Sequence, residues 1–393
     1  MVKLAKLSLF LYIIIFTVTT SVVLNRAALL VTIFCCGLGY IKSHSELKMP
    51  KNRFFISLLL YGIMLYISRL YTITPAVKAN AVFMSYAVML IITFFLTVNV
   101  KNEDDIHFFL NAFVIASVVQ LIYMLSVYGA NIFEIIAKSD EGIRIGDEVS
   151  NSNSVGMSFA YGSMIALYFL LNVPCNKMKK LLYAAVVLMG IVMALFSGSR
   201  KALVMIFIGA VIIMYGKGNN VNILKTMVGF VTGICLLFLL YNVIKENEMF
   251  SVVYSRMKEL LEGLSGKGRL DNSSKERLRM INTGVEAFSE SPLWGQGIYA
   301  SYRYFRTYAH NNFVEVLMNT GLIGFTIFYF PYIDGMIKFL RIDKTSRLYR
   351  IMLFLFLWIL FGGVGMITYY DKYSNCLISL VGSYFMFCKK GES

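Results

Sequence analysis

The chain has 393 residues, of which 58% are hydrophobic and only 15% charged, and its formal net charge is +15. Because about a quarter of the residues in a soluble globular protein are charged, this composition excludes an ordinary soluble fold. The basic residues cluster between long apolar runs, which argues against a nucleic-acid-binding surface and for a membrane protein.

Long apolar runs predict the membrane-spanning helices. Residues 7–24 and 81–100, for example, contain no charged side chain, and about 18 apolar residues suffice to cross the hydrocarbon core. The first run follows Lys3 and Lys6 like a signal peptide, but it lacks a small-residue cleavage site, so we expect a retained span. The second and eighth runs are short enough to be re-entrant. About twelve spans are predicted: residues 7–24, 27–41, 54–70, 81–100, 108–129, 154–172, 181–197, 202–216, 221–244, 319–340, 349–367 and 373–388.

The distribution of Lys and Arg predicts which ends of the spans are cytoplasmic. With a cytoplasmic N-terminus, the inside connections carry most of these residues, and this asymmetry places both termini in the cytoplasm. The inside residues are Lys3, Lys6, Lys42, Lys48, Lys51, Arg53, Lys177, Lys179, Lys180, Lys217, Lys225, Lys338, Arg341, Lys344, Arg347, Arg350, Lys389 and Lys390. The short outside connections carry chiefly Arg26, Lys78, Arg144, Arg200, Lys201 and Lys372.

Two external segments are longer than a simple connection needs to be: residues 130–153 and residues 245–318. A loop of some seventy residues in a compact protein usually has a function. The second segment is predicted to carry two amphipathic helices, one over residues 249–264 and one from Ser273 to Ser291-Pro292. The second helix has an apolar stripe of Leu278, Ile281, Val285 and Phe288. We treat the chain as one membrane domain, residues 1–393, whose helices 249–264 and 273–290 lie on the outer membrane face or cap the bundle.

External arginines are the first candidates for a binding site. Arg200 lies in a tight turn, where a side chain anchored at the membrane interface is one interpretation and a bidentate phosphate clamp is the other. Arg277 and Arg279 lie in the first turns of a helix, where cations oppose the helix dipole unless an anion binds. A solvated face balanced by Glu276 remains the alternative.

His310 is the external histidine, since His44 and His107 fall in predicted cytoplasmic loops. Imidazole is suited to proton transfer near neutral pH, although an exposed histidine is often incidental. Asn311 or the next residue is placed to cap the following helix, and Glu315 lies one turn further.

Further basic residues extend this external face. Arg303 and Arg306 precede His310, and Arg144 lies with Asn151 and Asn153 in the shorter external segment. An external basic pocket at the membrane surface suits a lipid-linked phosphate or diphosphate. No zinc-ligand spacing, glycine-rich phosphate loop or external Asp-x-Asp pattern is found, and the six cysteines have no spacing typical of a metal site or disulfide.

Taken in order, the motifs of the second half resemble the O-antigen ligase and polymerase family of bacterial envelope enzymes. The resemblance covers about residues 195–325 and rests on Ser197-Gly198-Ser199-Arg200, Glu276-Arg277, residues 291–297 (Ser-Pro-Leu-Trp-Gly-Gln-Gly), His310-Asn311-Asn312-Phe313 and Gly321-Leu322-Ile323-Gly324.

This resemblance implies an all-α membrane fold related to the C-type glycosyltransferases, located in the bacterial inner membrane. It implies a glycan linked to undecaprenyl diphosphate as donor, an active site on the external face, and neither metal nor other cofactor. By motif, Arg200 and Arg277 would hold the diphosphate, and His310 would act at the acceptor hydroxyl as general base or orienting group. Substrate-binding roles are expected for Arg144, Arg279, Arg303, Arg306, Asn311 and Glu315.

Three functions remain open at this stage. The preferred one is a polymerase that joins lipid-linked repeat units of O-antigen or capsule. A chain-length regulator is a further partner that a polymerase could have. The second is a ligase that transfers the finished glycan to the lipid A core. The third is a flippase or other transporter, which would place charged residues inside its spans, whereas the spans of this chain are nearly free of charge.

Overall fold

A computed structural model of the protein describes residues 1–19, 21–43, 49–129, 152–197, 199–214 and 272–388. Within these ranges the regular elements are helices, which confirms the all-α class. They are α1 (Val2–Val18), α2 (Val22–Ser43), α3 (Arg53–Ser68), α4 (Ala76–Asn99), α5 (Glu103–Tyr128), α6 (Ser152–Asn172), α7 (Lys177–Phe196), α8 (Arg200–Met214), α9 (Asn272–Glu290), α10 (Ser301–Phe305), α11 (Asn312–Arg341), α12 (Arg347–Gly362) and α13 (Lys372–Phe387).

Eleven of the twelve predicted spans fall on these helices, and six helices of the described ranges are long and apolar enough to cross a membrane by themselves. The predicted span 221–244 and the predicted helix 249–264 lie outside the described residues. The count of twelve therefore stays a prediction. The second span is longer than predicted, because α2 continues through the polar residues Asn25 and Arg26.

Capping residues determine where several helices begin. The Asn52 side chain accepts hydrogen bonds from the backbone N–H groups at the start of α3, and Asn102 and Asn176 do the same for α5 and α7. Such caps satisfy N–H groups that have no partner within the helix. His107, placed in a loop by the sequence, lies within α5, where its Nε2 is 2.8 Å from the Tyr168 hydroxyl.

Helix α6 packs against α5, α7 and α8. Small residues allow the backbones to approach closely, as is common between membrane helices. A methyl group on Gly162 would lie 1.9 Å from the Ser117 Oγ, and one on Gly156 would lie 2.2 Å from the Ser197 Oγ. The second contact joins the start of α6 to the turn between α7 and α8, so two stretches singled out in the sequence are neighbours in space.

Helix α11 is interrupted at Gly321, which has a left-handed φ of 60°. In a continuous helix the next two N–H groups would bond to carbonyls four residues earlier. Here the Leu322 N–H donates to the Pro292 carbonyl (2.8 Å), and the Ile323 N–H donates to the Leu293 carbonyl (3.3 Å). A turn from the external segment thus supplies the partners that the kink removes.

The same turn also satisfies the carbonyls on the other side of the kink. The Gln296 N–H donates to the Met318 carbonyl (2.7 Å), and the Gly297 N–H donates to the Asn319 carbonyl (3.0 Å). The glycine-rich turn 293–297 is therefore a structural clasp, which joins the external segment to α11 through backbone hydrogen bonds.

The connection between α3 and α4 holds the clasp from the opposite side. The Thr72 Oγ1 donates to the Ile298 carbonyl (2.9 Å), and the Thr74 Oγ1 donates to the Tyr299 carbonyl (2.7 Å). A methyl group on Gly297 would lie 2.3 Å from the Thr72 Cα, so only glycine allows this approach.

Helix α9 ends at Glu290, just before Ser291-Pro292, as the sequence predicted. It packs on α11 through small residues, because a methyl group on Gly284 would lie 2.3 Å from the Val314 Cγ1. The predicted apolar stripe differs from the buried face, since Leu278 and Val285 remain 50% and 48% exposed. Close packing on α11 requires the face of α9 with small residues, so the larger side chains Leu278 and Val285 lie beside the contact.

Candidate active site

One end of the helix bundle contains a cavity of about 510 Å³. Its walls come from the last residues of α1, one residue each of α4 and α5, the first halves of α6, α8 and α13, the external segment and the connection between α12 and α13. The lining residues are Phe16, Thr17, Val18, Thr19, Ser85, Gln120, Asn153, Ser154, Val155, Met157, Ser158, Tyr161, Lys201, Arg277, Tyr308, His310, Gly365, Met366, Ile367, Tyr370, Asp371, Lys372, Tyr373 and Ser374.

Three basic side chains from separate segments meet in this cavity: Lys201 near the start of α8, Arg277 in α9, and His310 just before α11. Hereafter these three residues are called the basic cluster. Positive charges in a half-buried site repel one another, and a bound anion offsets this repulsion by attracting them. The basic cluster is therefore suited to phosphate or diphosphate.

The two arginines of α9 point to different environments. Arg277 lines the cavity, whereas Arg279 is exposed and forms a bidentate ion pair with Glu276, with N···O distances of 2.5 and 2.9 Å. The Glu276 carboxylate raises the pKa of Arg279, and Arg279 lowers the pKa of Glu276. The sequence left open an anion clamp or a solvated face: Arg279 lies on a solvated face, and an anion-binding role of Arg277 stays a prediction.

Lys201 is a cavity residue that the sequence did not single out for a binding role. Its ammonium group donates a hydrogen bond to the Gly365 carbonyl in the connection between α12 and α13. A methyl group on Gly365 would lie 2.7 Å from the Lys201 Nζ, so a side chain there would displace the lysine ammonium group. Arg200, the first residue of α8, is half-buried and is not among the lining residues.

His310 is held in an unusual backbone conformation, with a left-handed φ of 54°. Its ring centroid lies 4.3 Å from that of Tyr308. Burial, followed by the charges of Arg277 and Lys201, lowers the pKa of His310 to about 4. The imidazole is therefore neutral near pH 7, and a neutral imidazole can accept a proton.

The strained backbone at His310 is fixed from both sides by buried polar groups. On the C-terminal side, the Asn311 side chain caps α11, accepting from the N–H groups of Phe313 (2.9 Å) and Val314 (3.1 Å). On the N-terminal side, the Glu315 carboxylate accepts from the Ala309 N–H at 2.8 Å. Backbone strain persists when its surroundings determine it in this way.

Glu315 is itself fully buried and does not line the cavity. Besides the Ala309 N–H, it accepts a hydrogen bond from the Ser301 Oγ at 2.8 Å. It therefore joins α10, the residue before His310 and α11 into one unit. The geometry gives Glu315 a positioning role, while its expected contact with substrate stays a prediction.

Asn312 fixes the opposite wall of the cavity. Its Oδ1 accepts from the N–H groups of Thr368 (2.8 Å) and Tyr369 (3.0 Å), and its own N–H donates to the Gly363 carbonyl at 2.7 Å. The connection between α12 and α13 is thereby anchored to the residue two positions after His310. The His-Asn-Asn motif thus combines one cavity residue with two structural ones.

Two further predicted binding residues, Arg303 and Arg306, are not among the residues that line the cavity. Arg303 and Arg306 are exposed on or beside α10, and the Arg306 guanidinium lies 5.9 Å from the Tyr302 ring centroid. Arg144 and Asn151 lie outside the described residues, whereas Asn153 lines the cavity. No group of three His, Cys, Asp or Glu residues in the described ranges is arranged to hold a metal ion.

Residues 184–329 match the family model described as O-antigen ligase. The chain therefore carries a domain of the O-antigen ligase family. Comparison with curated proteins gives no significant match. The family match agrees with the helical, apolar architecture of a multi-pass membrane protein, and it supports a role in the assembly of O-antigen-type polysaccharide from lipid-linked oligosaccharides.

The O-antigen ligase segment contributes one part of the cavity wall. Lys201, Tyr308 and His310 lie within residues 184–329, as does Arg277. Every other lining residue lies outside that range, in α1, α4, α5, α6 and the region after α12. The basic cluster thus belongs to the family segment, and the rest of the cavity is built by the flanking helices.

Sequence reasoning did not single out most of the flanking residues, because they are apolar residues or ordinary polar residues within or beside an apolar run. Gln120 is the clearest example: it is buried in α5 and accepts a hydrogen bond from the Ser158 Oγ at 2.5 Å. A polar side chain inside a predicted span is a signal of function, and it would have pointed to this position.

Proposed function

We propose that the protein is a polysaccharide polymerase, which transfers an undecaprenyl-diphosphate-linked glycan to the acceptor sugar of another lipid-linked repeat unit. The observation that carries this proposal is the convergence of Lys201, Arg277 and His310 in one cavity at the end of the helix bundle. Under this proposal the cavity faces the outside of the bacterial inner membrane and both termini are cytoplasmic.

The reaction we propose breaks the bond between the anomeric carbon of the donor glycan and the diphosphate oxygen. The acceptor hydroxyl oxygen forms the new glycosidic bond to that carbon, and undecaprenyl diphosphate leaves with the bonding electrons. His310, neutral because of the lowered pKa, takes the proton of the acceptor hydroxyl.

Arg277 and Lys201 stabilise the charge that develops on the leaving diphosphate. Fixed cations in a half-closed site require no reorganisation during the reaction, and one such donor typically contributes about 2.7–4 kcal/mol to lowering the barrier. Arg200, at the start of the same helix as Lys201, is proposed to assist in holding the diphosphate. Two or three fixed cations can thus perform the neutralisation without a metal ion.

The test is an assay of the purified protein with lipid-linked repeat units extracted from cells that lack it. We expect polymer to form without any lipid A core. Arg277→Ala should lower the rate by about 10²–10³, and Arg277→Lys should recover part of it. Arg279→Ala is the matched control, because this neighbouring side chain pairs with Glu276 and does not line the cavity.

His310→Ala separates the chemical step from donor binding. We expect this variant to lose polymer formation while it still binds undecaprenyl diphosphate. Loss of undecaprenyl diphosphate binding would show that His310 holds the donor instead of acting at the acceptor.

The second candidate is the ligase reaction, favoured by the description of the matched family model. Donor chemistry is shared, and the acceptor alone differs. Transfer that occurs only after purified lipid A core is added would assign the ligase, and no transfer to either acceptor would refute both candidates.

A further inference from the structure

The part of the cavity built by the flanking helices differs in chemistry from the basic cluster. Hydroxyl and amide side chains line it, namely Gln120, Asn153, Ser154, Ser158, Tyr161, Tyr373 and Ser374. The Tyr161 and Tyr373 ring centroids lie 5.1 Å apart, which joins α6 to α13. Such a wall offers many hydrogen-bonding groups and little charge, a combination that suits a sugar.

Asp371 is the acidic residue among the described lining residues. It is half-buried, and one carboxylate oxygen caps α13 by accepting from the Ser374 N–H at 2.8 Å. Burial raises the pKa of Asp371 above its ordinary value. A carboxylate in this position is an acceptor of hydrogen bonds from neutral hydroxyl groups and repels anions.

The neighbouring basic residue does not convert this region into an anion site. Lys372 follows Asp371 in the chain, and its ammonium group lies 5.9 Å from the Phe16 ring centroid of α1. The charges that act on His310 are those of Arg277 and Lys201, within the basic cluster. Lys372, in contrast, acts on the adjacent Asp371.

Two hydroxyl groups in this region have no hydrogen-bond partner among the described residues. The Tyr161 and Tyr373 oxygens are both buried, and Tyr161 as a whole is only 3% exposed. Ser374 is a polar neighbour of Tyr161, but it does not meet hydrogen-bond geometry. Burying a polar group without a partner costs about 1–3 kcal/mol. A hydroxyl-rich ligand beside these rings would supply the missing hydrogen-bond partners.

We propose that the region around Asp371, Gln120, Tyr161 and Tyr373 is the acceptor-sugar subsite, in which the Asp371 carboxylate accepts a hydrogen bond from a hydroxyl group of an uncharged sugar. This proposal rests on the glycosyl transfer proposed above. It divides the cavity into a donor-diphosphate part, made by the family segment, and an acceptor part, made by the flanking helices. Repulsion from Asp371 disfavours an acceptor residue that carries a carboxylate or phosphate group.

Asp371→Asn separates the charge of this residue from its capping role. Asparagine caps a helix about as well as aspartate, so the start of α13 stays intact while the charge disappears. Asp371→Ser is a second variant with the same logic. Asn176→Ala is the matched control for lost capping, because Asn176 caps α7 and does not line the cavity.

The experiment varies the acceptor independently of the donor. The donor is the extracted lipid-linked repeat unit at fixed concentration, and the acceptor is the same repeat-unit oligosaccharide released from its lipid by mild acid. A hydrogen bond to a charged group contributes about 1.5–3 kcal/mol, so we expect Asp371→Asn and Asp371→Ser to raise the acceptor KM about 10- to 100-fold. Their affinity for undecaprenyl diphosphate should equal that of the unaltered protein, and Asn176→Ala should keep the normal acceptor KM.

Each result bears on the subsite. Product formation with an unchanged acceptor KM in both Asp371 variants would overturn the acceptor subsite and leave the proposed function standing. Weaker binding of undecaprenyl diphosphate in those variants would assign Asp371 to the donor part and overturn the division of the cavity. If the unaltered protein forms no product, the proposed function and the subsite are both overturned. This holds whether or not the protein binds undecaprenyl diphosphate.

Discussion

His310 and Glu315 are five residues apart, yet the structure gives them opposite surroundings. His310 lines the cavity, while Glu315 is fully buried and bonds to the residue before the histidine. His310 lies in the left-handed turn before the helix, whereas Glu315 lies in the first turn of the helix that begins at Asn312. His310 is thus available to a ligand in the cavity, and Glu315 holds the backbone next to His310 in position.

The protonation state of His310 is a prediction at this scale. We expect the imidazole to titrate with a pKa of about 4, well below the ordinary value of about 6.5. Arg277→Ala should raise this pKa, because it removes a nearby positive charge. Nuclear magnetic resonance of the protein labelled at histidine Cε1 measures both values, since the chain has only three histidines and His310→Gln identifies the signal.

The sign of the pH effect on stability follows from the same pKa. Between about pH 6.5 and pH 4 the unfolded chain binds a proton at this histidine and the folded protein does not, so acidification through this window lowers the free energy of unfolding. A measured pKa near 6.5 for His310 in the folded protein would contradict the lowering of this pKa by burial and by the charges of Arg277 and Lys201.

At the scale of elements, the clasp between the turn 293–297 and the kink of α11 explains motifs whose role the sequence left unassigned. The glycines at 295, 297 and 321 all have left-handed φ values. Backbone bonds cross between the two segments in both directions. The motif residues of this region therefore position the external segment over the bundle, and the chemistry depends on them indirectly.

Gly321→Ala should destabilise the protein by at least about 1–3 kcal/mol, because alanine is strained at this φ and its methyl group would lie 2.4 Å from the Leu293 backbone. Thermal unfolding in detergent measures the effect. Gly37→Ala is the matched control, since a methyl group there has nothing within 4 Å and lies in helix α2. That control should gain about 0.5–1 kcal/mol, and equal unfolding temperatures for the two variants would count against the clasp.

Helix boundaries show how far local patterns predict elements. The predicted spans 154–172 and 373–388 differ from α6 and α13 by no more than two residues at either end. The predicted span 319–340 begins seven residues later than α11, because hydropathy rises only near the kink while the Asn311 cap starts the helix earlier. Capping and kinks depend on particular side chains and contacts that an average over a window does not detect.

At the scale of the whole molecule, helices from both parts of the chain direct the same ends toward the cavity: the last residues of α1, the second half of α5 and the first halves of α4, α6, α8 and α13. The external segment and the connection after α12 complete the wall. Successive helices that cross a membrane alternate in direction, and these ends are the ones that the distribution of Lys and Arg predicts to be external. The charge pattern thus predicts that the end of the bundle with the cavity faces outside.

Cysteine labelling of intact cells tests this orientation. We expect the Arg303→Cys variant to react with a membrane-impermeant maleimide, because residue 303 is exposed on α10, in the same external segment as His310. The Lys344→Cys variant, exposed in the connection between α11 and α12, should react only after permeabilisation. The unaltered protein, with its six native cysteines, provides the background. The reverse labelling pattern would place the cavity on the cytoplasmic side and refute the proposed active-site face.

The sequence by itself indicated an all-helical membrane protein that resembles the O-antigen ligase and polymerase family, and it pointed to Arg277 and His310. These features are readable because apolar runs, caps and short motifs are local in the chain. Only the tertiary structure decided that Lys201 joins them, that Arg279 turns to solvent and that Asp371 lies across the same cavity. The physical reason is that the cavity forms where helices from both ends of the chain pack together, and no local pattern records which side chains such packing brings into contact.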